Sequence, residues 1–190
     1  MNIGIMGGTF NPPHKGHKNI ILEAYKNLNL DKVYVIPNNI PSHKKIPLNS
    51  PTPYNRMEMC EIMCKDLDFT QVLDIEIKKG GTSYTIDTLK ELKKEGDKLY
   101  LIIGSDSFLT IDKWREFEEI FALCELVVFK RELEIDLNQQ KTYLEKKYGV
   151  KSHLIESKIL EVSSTELRQK LNKELSILEV EQYILQNNLY

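Results

Sequence analysis

Two histidines three residues apart, His14 and His17, close the string GIMGGTFNPPHKGH at residues 4–17, behind a glycine pair and two prolines. A loop that only joins a strand to a helix needs none of these. Gly7 and Gly8 are expected to turn the backbone tightly and to leave no side chain between amide N–H groups and a ligand. The helix that follows points its amino end at the same spot, where unpaired N–H groups and the dipole favour an anion. His14 and His17 add two donors there, and Gly16 between them keeps the approach open. The glycines alone fit a plain turn. The full string is more specific.

Four other stretches carry comparable groups. EVSSTELRQKL at 161–171 reads as a helix start, with Ser163 and Glu166 as a capping box. Ser164 and Thr165 add hydroxyls beside the exposed amides, and Arg168 lies one turn on, so the segment describes a phosphate clamp. GGTSYTIDTL at 80–89 offers a flexible glycine approach, Ser83 or Thr85 to cap the next helix, and Tyr84, which capping does not explain. IIGSDSF at 102–108 runs a strand into Gly104 and Asp106, and an acidic residue past a strand end can accept from ribose hydroxyls. The Pro-rich stretch at 36–53 is a loop long enough to suspect function. His43 and Lys44 at its tip also fit a solvated basic turn, and the single tryptophan, Trp114, equally fits a core. Cys60 and Cys64 could join His14 and His17 on zinc, but no ligand spacing is matched. With Met59 and Met63 they make an apolar helical face, so core packing is expected and no protein-held metal site.

These groups need a scaffold. β-Branched runs at 2–6, 32–36, 70–77, 98–103, 124–129 and 152–156 alternate with helical spacing at 16–28, 54–66, 84–95, 112–120, 138–148, 164–172 and 178–187. Strands separated by helices predict an α/β, doubly wound, mostly parallel Rossmann-like sheet with helices on both faces. Ligands in such sheets bind outside the carboxyl ends of the strands, where the winding reverses. A length of 190 residues predicts one domain over 1–190. A net charge of −2 without a basic stripe gives no reason to expect nucleic acid. The longest apolar run, LYLII at 99–103, is too short to cross a bilayer, and the start MNIGIM is no signal peptide. Three cysteines without framework spacing fit a reducing compartment, so the expectation is cytoplasmic.

GGTFNPPHKGH together with SSTELR resembles the nucleotidyltransferase superfamily that carries a His-x-Gly-His signature. GGTSYTIDTL, IGSDSF with Trp114, and the tail YILQNNLY make the chain similar to bacterial nicotinate-nucleotide adenylyltransferases over nearly its whole length. The resemblance implies adenylyl transfer from ATP to nicotinate mononucleotide, with Mg²⁺ carried by the ATP phosphates. It implies that Gly7, Gly8, Thr9, Phe10, His14 and His17 hold ATP, that Ser164, Thr165 and Arg168 hold its outer phosphates, and that Gly104 and Asp106 meet adenosine or ribose. It implies that Lys44, Ser83, Tyr84, Thr85 and Trp114 receive the mononucleotide, and that His14, His17, Lys44 and Arg168 take part in catalysis. A homo-oligomer is compatible with it. Two departures stand out: Ser42 replaces the proline usual before His43-Lys44, and LSILEVEQYI lacks the usual Arg-Tyr and Pro. Transferases acting on pantetheine phosphate or glycerol phosphate are the nearest alternatives, and the middle motifs argue against them. A nucleotide sensor would have no need to keep both His17 and Arg168.

Overall fold

Apolar residues at consecutive positions of a strand require cover on both faces, and in this chain the cover is helical. The computed structural model describes residues 1–42, 45–130, 136–156 and 176–190. Six strands form one sheet: β1 (Asn2–Gly8), β2 (Lys32–Pro37), β4 (Thr70–Val72), β6 (Lys98–Gly104), β7 (Cys124–Phe129) and β8 (Ser152–Ile155). Their spatial order is β4-β2-β1-β6-β7-β8, and every neighbouring pair is parallel. The chain therefore winds outward from β1 in one direction, returns, and winds outward from β6 in the other. The reversal lies between β1 and β6, as the doubly wound expectation requires. A second, two-stranded sheet joins β3 (Ile40–Pro41) to β5 (Thr82–Ser83).

Among the described residues the helices are α1 (Lys15–Leu28), α2 (Pro53–Cys64), α3 (Ile75–Lys79), α4 (Thr85–Leu92), α5 (Ser105–Phe108), α6 (Phe117–Leu123), α7 (Asn138–Tyr148) and α8 (Leu178–Gln186). Strand periodicity sorts the core into two layers. Ile3 and Ile5 of β1, Leu99 and Leu101 of β6, and Leu126 and Val128 of β7 face one layer with Ile86, Leu89, Ile120 and Leu144. Met6, Tyr100, Ile102, Val127 and Phe129 face the other, with Ile20, Ile21 and Ala24 of α1 and Cys60, Met63 and Cys64 of α2. Both faces are covered. Among the described residues, no helix is long and apolar enough to cross a membrane.

The boundaries correct the sequence reading in three places. The expected strand over 70–77 stops at Val72, and Ile75–Lys79 is a helix, anchored by the Lys78 amide on the Asp74 carbonyl (2.8 Å). The expected helix over 84–95 ends at Leu92, because Lys93 turns to extended backbone (ψ 119°). The expected helix over 112–120 is a 3₁₀ turn, Ile111–Lys113, then α6, parted by Glu116 in the left-handed region (φ 52°). The expected helix over 164–172 lies outside the described residues.

Candidate active site

The carboxyl ends of β1 and β6 flank the reversal, and each carries a motif already singled out. β1 keeps its pairing to the last residue, Gly8 opposite Pro37 of β2. The sequence reading of Gly7 and Gly8 as the turn is therefore corrected: they are strand residues. Around Gly7 a Cβ would find open space within 4 Å, whereas one on Gly8 would stand 3.0 Å from the Phe10 ring. The turn is made two residues later, by Phe10 at φ 46°. A non-glycine residue there is costly, and burial of the ring (2% exposed) holds it in place.

Thr9, Phe10, Asn11 and His14 are all buried. His14 is the residue at the amino cap of α1, in extended backbone (φ −150°). Its amide donates to His17 Nδ1 at 3.2 Å, and the two imidazoles lie 3.7 Å apart, centroid to centroid. Phe10 meets the His17 ring edge-on at 5.0 Å. An Nδ1 that accepts from a backbone amide carries no proton, so the ring's proton sits on Nε2 and that end is a donor. The first turn of α1 contains no acidic residue, which leaves its amino end hospitable to an anion. The Asn11 side chain donates to Ser50 Oγ (3.0 Å) and accepts from the Tyr190 hydroxyl, so the Pro-rich loop and the last residue both touch this loop.

On the β6 side, Gly104 caps α5, Ser105 is buried, and Asp106 is exposed in the helix's first turn. Gly7–Gly8 and Gly104 thus stand at the carboxyl ends of adjacent parallel strands, with the segments to His17 and Asp106 following them.

The GGTSY segment arrives by a different route. Gly80 and Gly81 both adopt left-handed backbone (φ 72° and 67°), then Thr82–Ser83 pairs with Ile40–Pro41. Ser83 does not cap α4, and neither does Thr85. The capping residue is Tyr84, without a side-chain cap bond, and Ser83 Oγ instead accepts from the Asn39 amide (3.0 Å). Tyr84 is half-buried against the core layer that also takes Trp114. The Arg115 guanidinium lies 4.7 Å from the Tyr84 ring centroid, which draws the segment after α5 against the amino end of α4. Tyr84, Thr85 and Trp114 are thereby gathered in one region. Lys44, Ser164, Thr165 and Arg168 lie outside the described residues.

The sequence reading missed Arg56, Asn38 and Asn39. Arg56, on α2, is fully buried, and its guanidinium donates to the carbonyls of Thr9 (2.6 Å), Asn38 (2.6 Å) and Asn39 (3.0 Å). Burial lowers its pKa from the ordinary arginine value. The signal was present: Arg56 shares a helical face with Met59, Cys60, Met63 and Cys64, all buried. The cysteines behave as the core residues expected. Burial pushes the Cys60 thiol well up and that of Cys64 to about 11.

Comparison with known proteins follows the same lines. The cytidylyltransferase-like family model matches residues 5–170. A Clostridium botulinum protein named "Probable nicotinate-nucleotide adenylyltransferase" is 40% identical over 194 residues, covering 98% of this chain and 96% of that protein. A Shewanella frigidimarina protein of the same name is 33% identical over 212 residues and the full length of both. Among solved structures, the Plasmodium falciparum nicotinic acid mononucleotide adenylyltransferase complexed with NaAD superposes with a TM-score of 0.79 at 25% identity, covering 100% of this chain and 97% of that one.

Proposed function

The chain belongs to the cytidylyltransferase-like family and is a nicotinate-nucleotide adenylyltransferase, and from that premise we propose how its residues divide the work. The enzyme moves the adenylyl group of ATP to nicotinate mononucleotide, releasing pyrophosphate and giving nicotinate adenine dinucleotide, a step of NAD biosynthesis. The attacking atom is an oxygen of the mononucleotide's phosphate, largely dianionic at neutral pH because its second pKa is about 6. It bonds to the α-phosphorus as the bond to the bridging oxygen of pyrophosphate breaks. No general base or covalent enzyme intermediate is required. The protein's task is alignment and positive charge.

In this reading ATP lies across the β1–β6 reversal, over Gly7, Gly8, Thr9 and Phe10, with Gly104 and Asp106 toward adenosine. The open space at Gly7 supports it. The observation that carries the reading is the His14–His17 pair at the amino end of α1: the His14 amide donates to His17 Nδ1 at 3.2 Å, which makes Nε2 the donor that would meet the α-phosphate as charge develops there. His14 completes the pair. Ser164, Thr165 and Arg168 take the outer phosphates, and Lys44 meets the mononucleotide phosphate. The divalent cation is Mg²⁺, entering with ATP as part of that substrate, and bound to phosphate oxygens it neutralises the leaving pyrophosphate. One nucleotidyltransferase domain, acting in the cytoplasm on small molecules rather than nucleic acid, accounts for residues 1–190.

The nicotinate ring sits between Tyr84 and Trp114, its carboxylate on the amides of Tyr84 and Thr85, with Ser83 beside them. A carboxylate suits the amino end of α4, whereas the amide of nicotinamide would set a donor against donors. Leaving those groups unpaired costs about 1–3 kcal/mol, or about 5- to 150-fold in kcat/KM. Pyrophosphate release with nicotinate and nicotinamide mononucleotides, at identical ATP and Mg²⁺, tests this. Equal efficiency, or a preference for the amide, would remove the ring from this position.

A further inference from the structure

The two substrate loops assigned above are joined through Asn38 and Asn39, the two residues after β2. On one side, the Asn38 amide donates to the Gly8 carbonyl (2.9 Å) and its side chain to Thr9 Oγ1 (3.2 Å). On the other, the Asn39 amide donates to Ser83 Oγ (3.0 Å) and its side chain to the Gly81 carbonyl (2.9 Å). Arg56 lies beneath this seam. One of its terminal nitrogens donates to Thr9 O and Asn38 Oδ1, and the other to the carbonyls of Asn38 and Asn39. A single planar group thus spans the ATP loop and both residues of the seam, of which Asn39 carries the mononucleotide loop.

We propose that Arg56 is a positioning residue that sets the spacing between the ATP loop and the mononucleotide loop through its guanidinium. The inference rests on the assignment of those loops made above. In-line attack demands that the mononucleotide phosphate and the α-phosphorus be held at near-contact distance, and a misplacement of 1 Å costs about a hundredfold. The distance is set by protein parts that must be fixed to one another, and Arg56 with the two asparagines is where they are fixed. All of its partners among the described residues are amide oxygens, so the buried charge has no carboxylate to offset its desolvation. An apolar side chain of similar size would serve α2 packing as well. Lysine would keep the charge, but as a point on a flexible stem it cannot span Thr9 and Asn39 together.

The test compares wild type, Arg56→Lys and Asn39→Ala by pyrophosphate release, varying each substrate in turn, with the folded fraction taken from circular dichroism. Per folded molecule, Arg56→Lys is expected to lose about a hundredfold in kcat and to raise KM for both substrates. A residue needed only for packing would lower the folded fraction and the melting temperature, leaving kcat and both KM values per folded molecule unchanged. Asn39→Ala cuts the link to Gly81 and keeps Arg56, so it should raise the mononucleotide KM about three- to tenfold and leave the ATP KM alone. That variant decides the matter if Arg56→Lys does not fold, and unchanged KM values in it then overturn the inference. Added ethylguanidinium should restore part of the kcat lost in Arg56→Ala, which a packing defect would not show. A silent wild type overturns the functional reading and this inference with it; an active wild type with an indistinguishable Arg56→Lys overturns the inference alone.

Discussion

Gly7–Gly8 and Gly80–Gly81 are the same dipeptide ahead of a helix, yet the chain uses them for opposite ends. The first pair sits in a strand, in register with Ile36 and Pro37, and the left-handed turn beyond it is made by Phe10. What glycine supplies there is absence: open space above Gly7 and room for the Phe10 ring at Gly8. The second pair has open space too, but both residues stand in left-handed backbone, so there glycine supplies conformation. The surroundings differ in the same sense. The first loop is buried and held by Asn38, Arg56 and Ser50, while the second is tied to the body through Asn39 and the short pairing with β3. On the roles proposed above, the loop that would orient reacting phosphates is fixed from beneath, and the loop that would receive a ring needs only the right path.

The comparison breaks first at His17, since the second loop has no counterpart to it. His17→Ala should cost about 10²–10³ in kcat if Nε2 donates to the α-phosphate only as charge builds. His17→Gln should keep the amide-accepting half of the cap, so stability recovers while turnover does not. Normal turnover in either variant would remove His17 from the chemistry. Next comes Arg168, a residue of the clamp expected at the far end of the first loop's ligand. Arg168→Ala should weaken ATP about 10- to 150-fold by loss of charge-assisted hydrogen bonds, measured by titration of ATP.

A methyl on each glycine pair sharpens the contrast. Gly7→Ala keeps an ordinary strand backbone, so the melting temperature should hold, while the methyl intrudes on ATP at about 1–3 kcal/mol, or about 5- to 150-fold in its KM. Gly81→Ala should do the reverse: about 1–2 kcal/mol of stability lost to left-handed strain, with the ATP KM unchanged. If both variants behave alike, the two pairs do one job. The smallest effect is expected of the thiols. Cys60 and Cys64 lie on α2, beneath the first loop, and α4 has none. With Cys64 raised to about 11 and Cys124 to about 12, only about one thiol in a thousand or fewer is ionised at pH 8. A thiol reagent at pH 8 should read close to nothing in the folded protein and three groups after denaturation. Rapid reaction in the folded state would mean that α2 opens.

Much of this was legible before any coordinates. Alternation of β-branched runs and helical spacing carried the doubly wound sheet, because parallel strands buried on both faces leave that pattern. It failed where pattern is ambiguous: Ile75 and Ile77 alternate like a strand, and only the turn at Asp74 makes them helical. The loop around His14 and His17 stood out because loop glycines and paired histidines are uncommon together. Their relationship was not, since the bond from the His14 amide to His17 Nδ1 belongs to cap geometry. Ser83 was read as a cap from local rules, and a residue 44 positions away claims its hydroxyl instead. Arg56 was passed over because arginine is usually a surface residue. Its place on the buried stripe of α2 was the clue, and its partners are reached only through tertiary structure.

The reversal between β1 and β6 also governs when the site can come into being. Asn2 pairs with Lys98, and the terminal amino group meets Asp97, 96 positions along the chain. The outer half, β4-β2-β1, can assemble from residues 1–72, but the floor on which ATP would rest needs β6. Closing so long a segment carries an entropic cost that local contacts cannot offset, which slows folding. On the ribosome, the loop from Gly7 to His17 is therefore made first and remains one-sided until residue 104 has emerged. In stopped-flow refolding, nucleotide affinity should return with the slow global phase rather than with the burst of helix formation. Recovery in the burst would show that the amino-terminal half suffices.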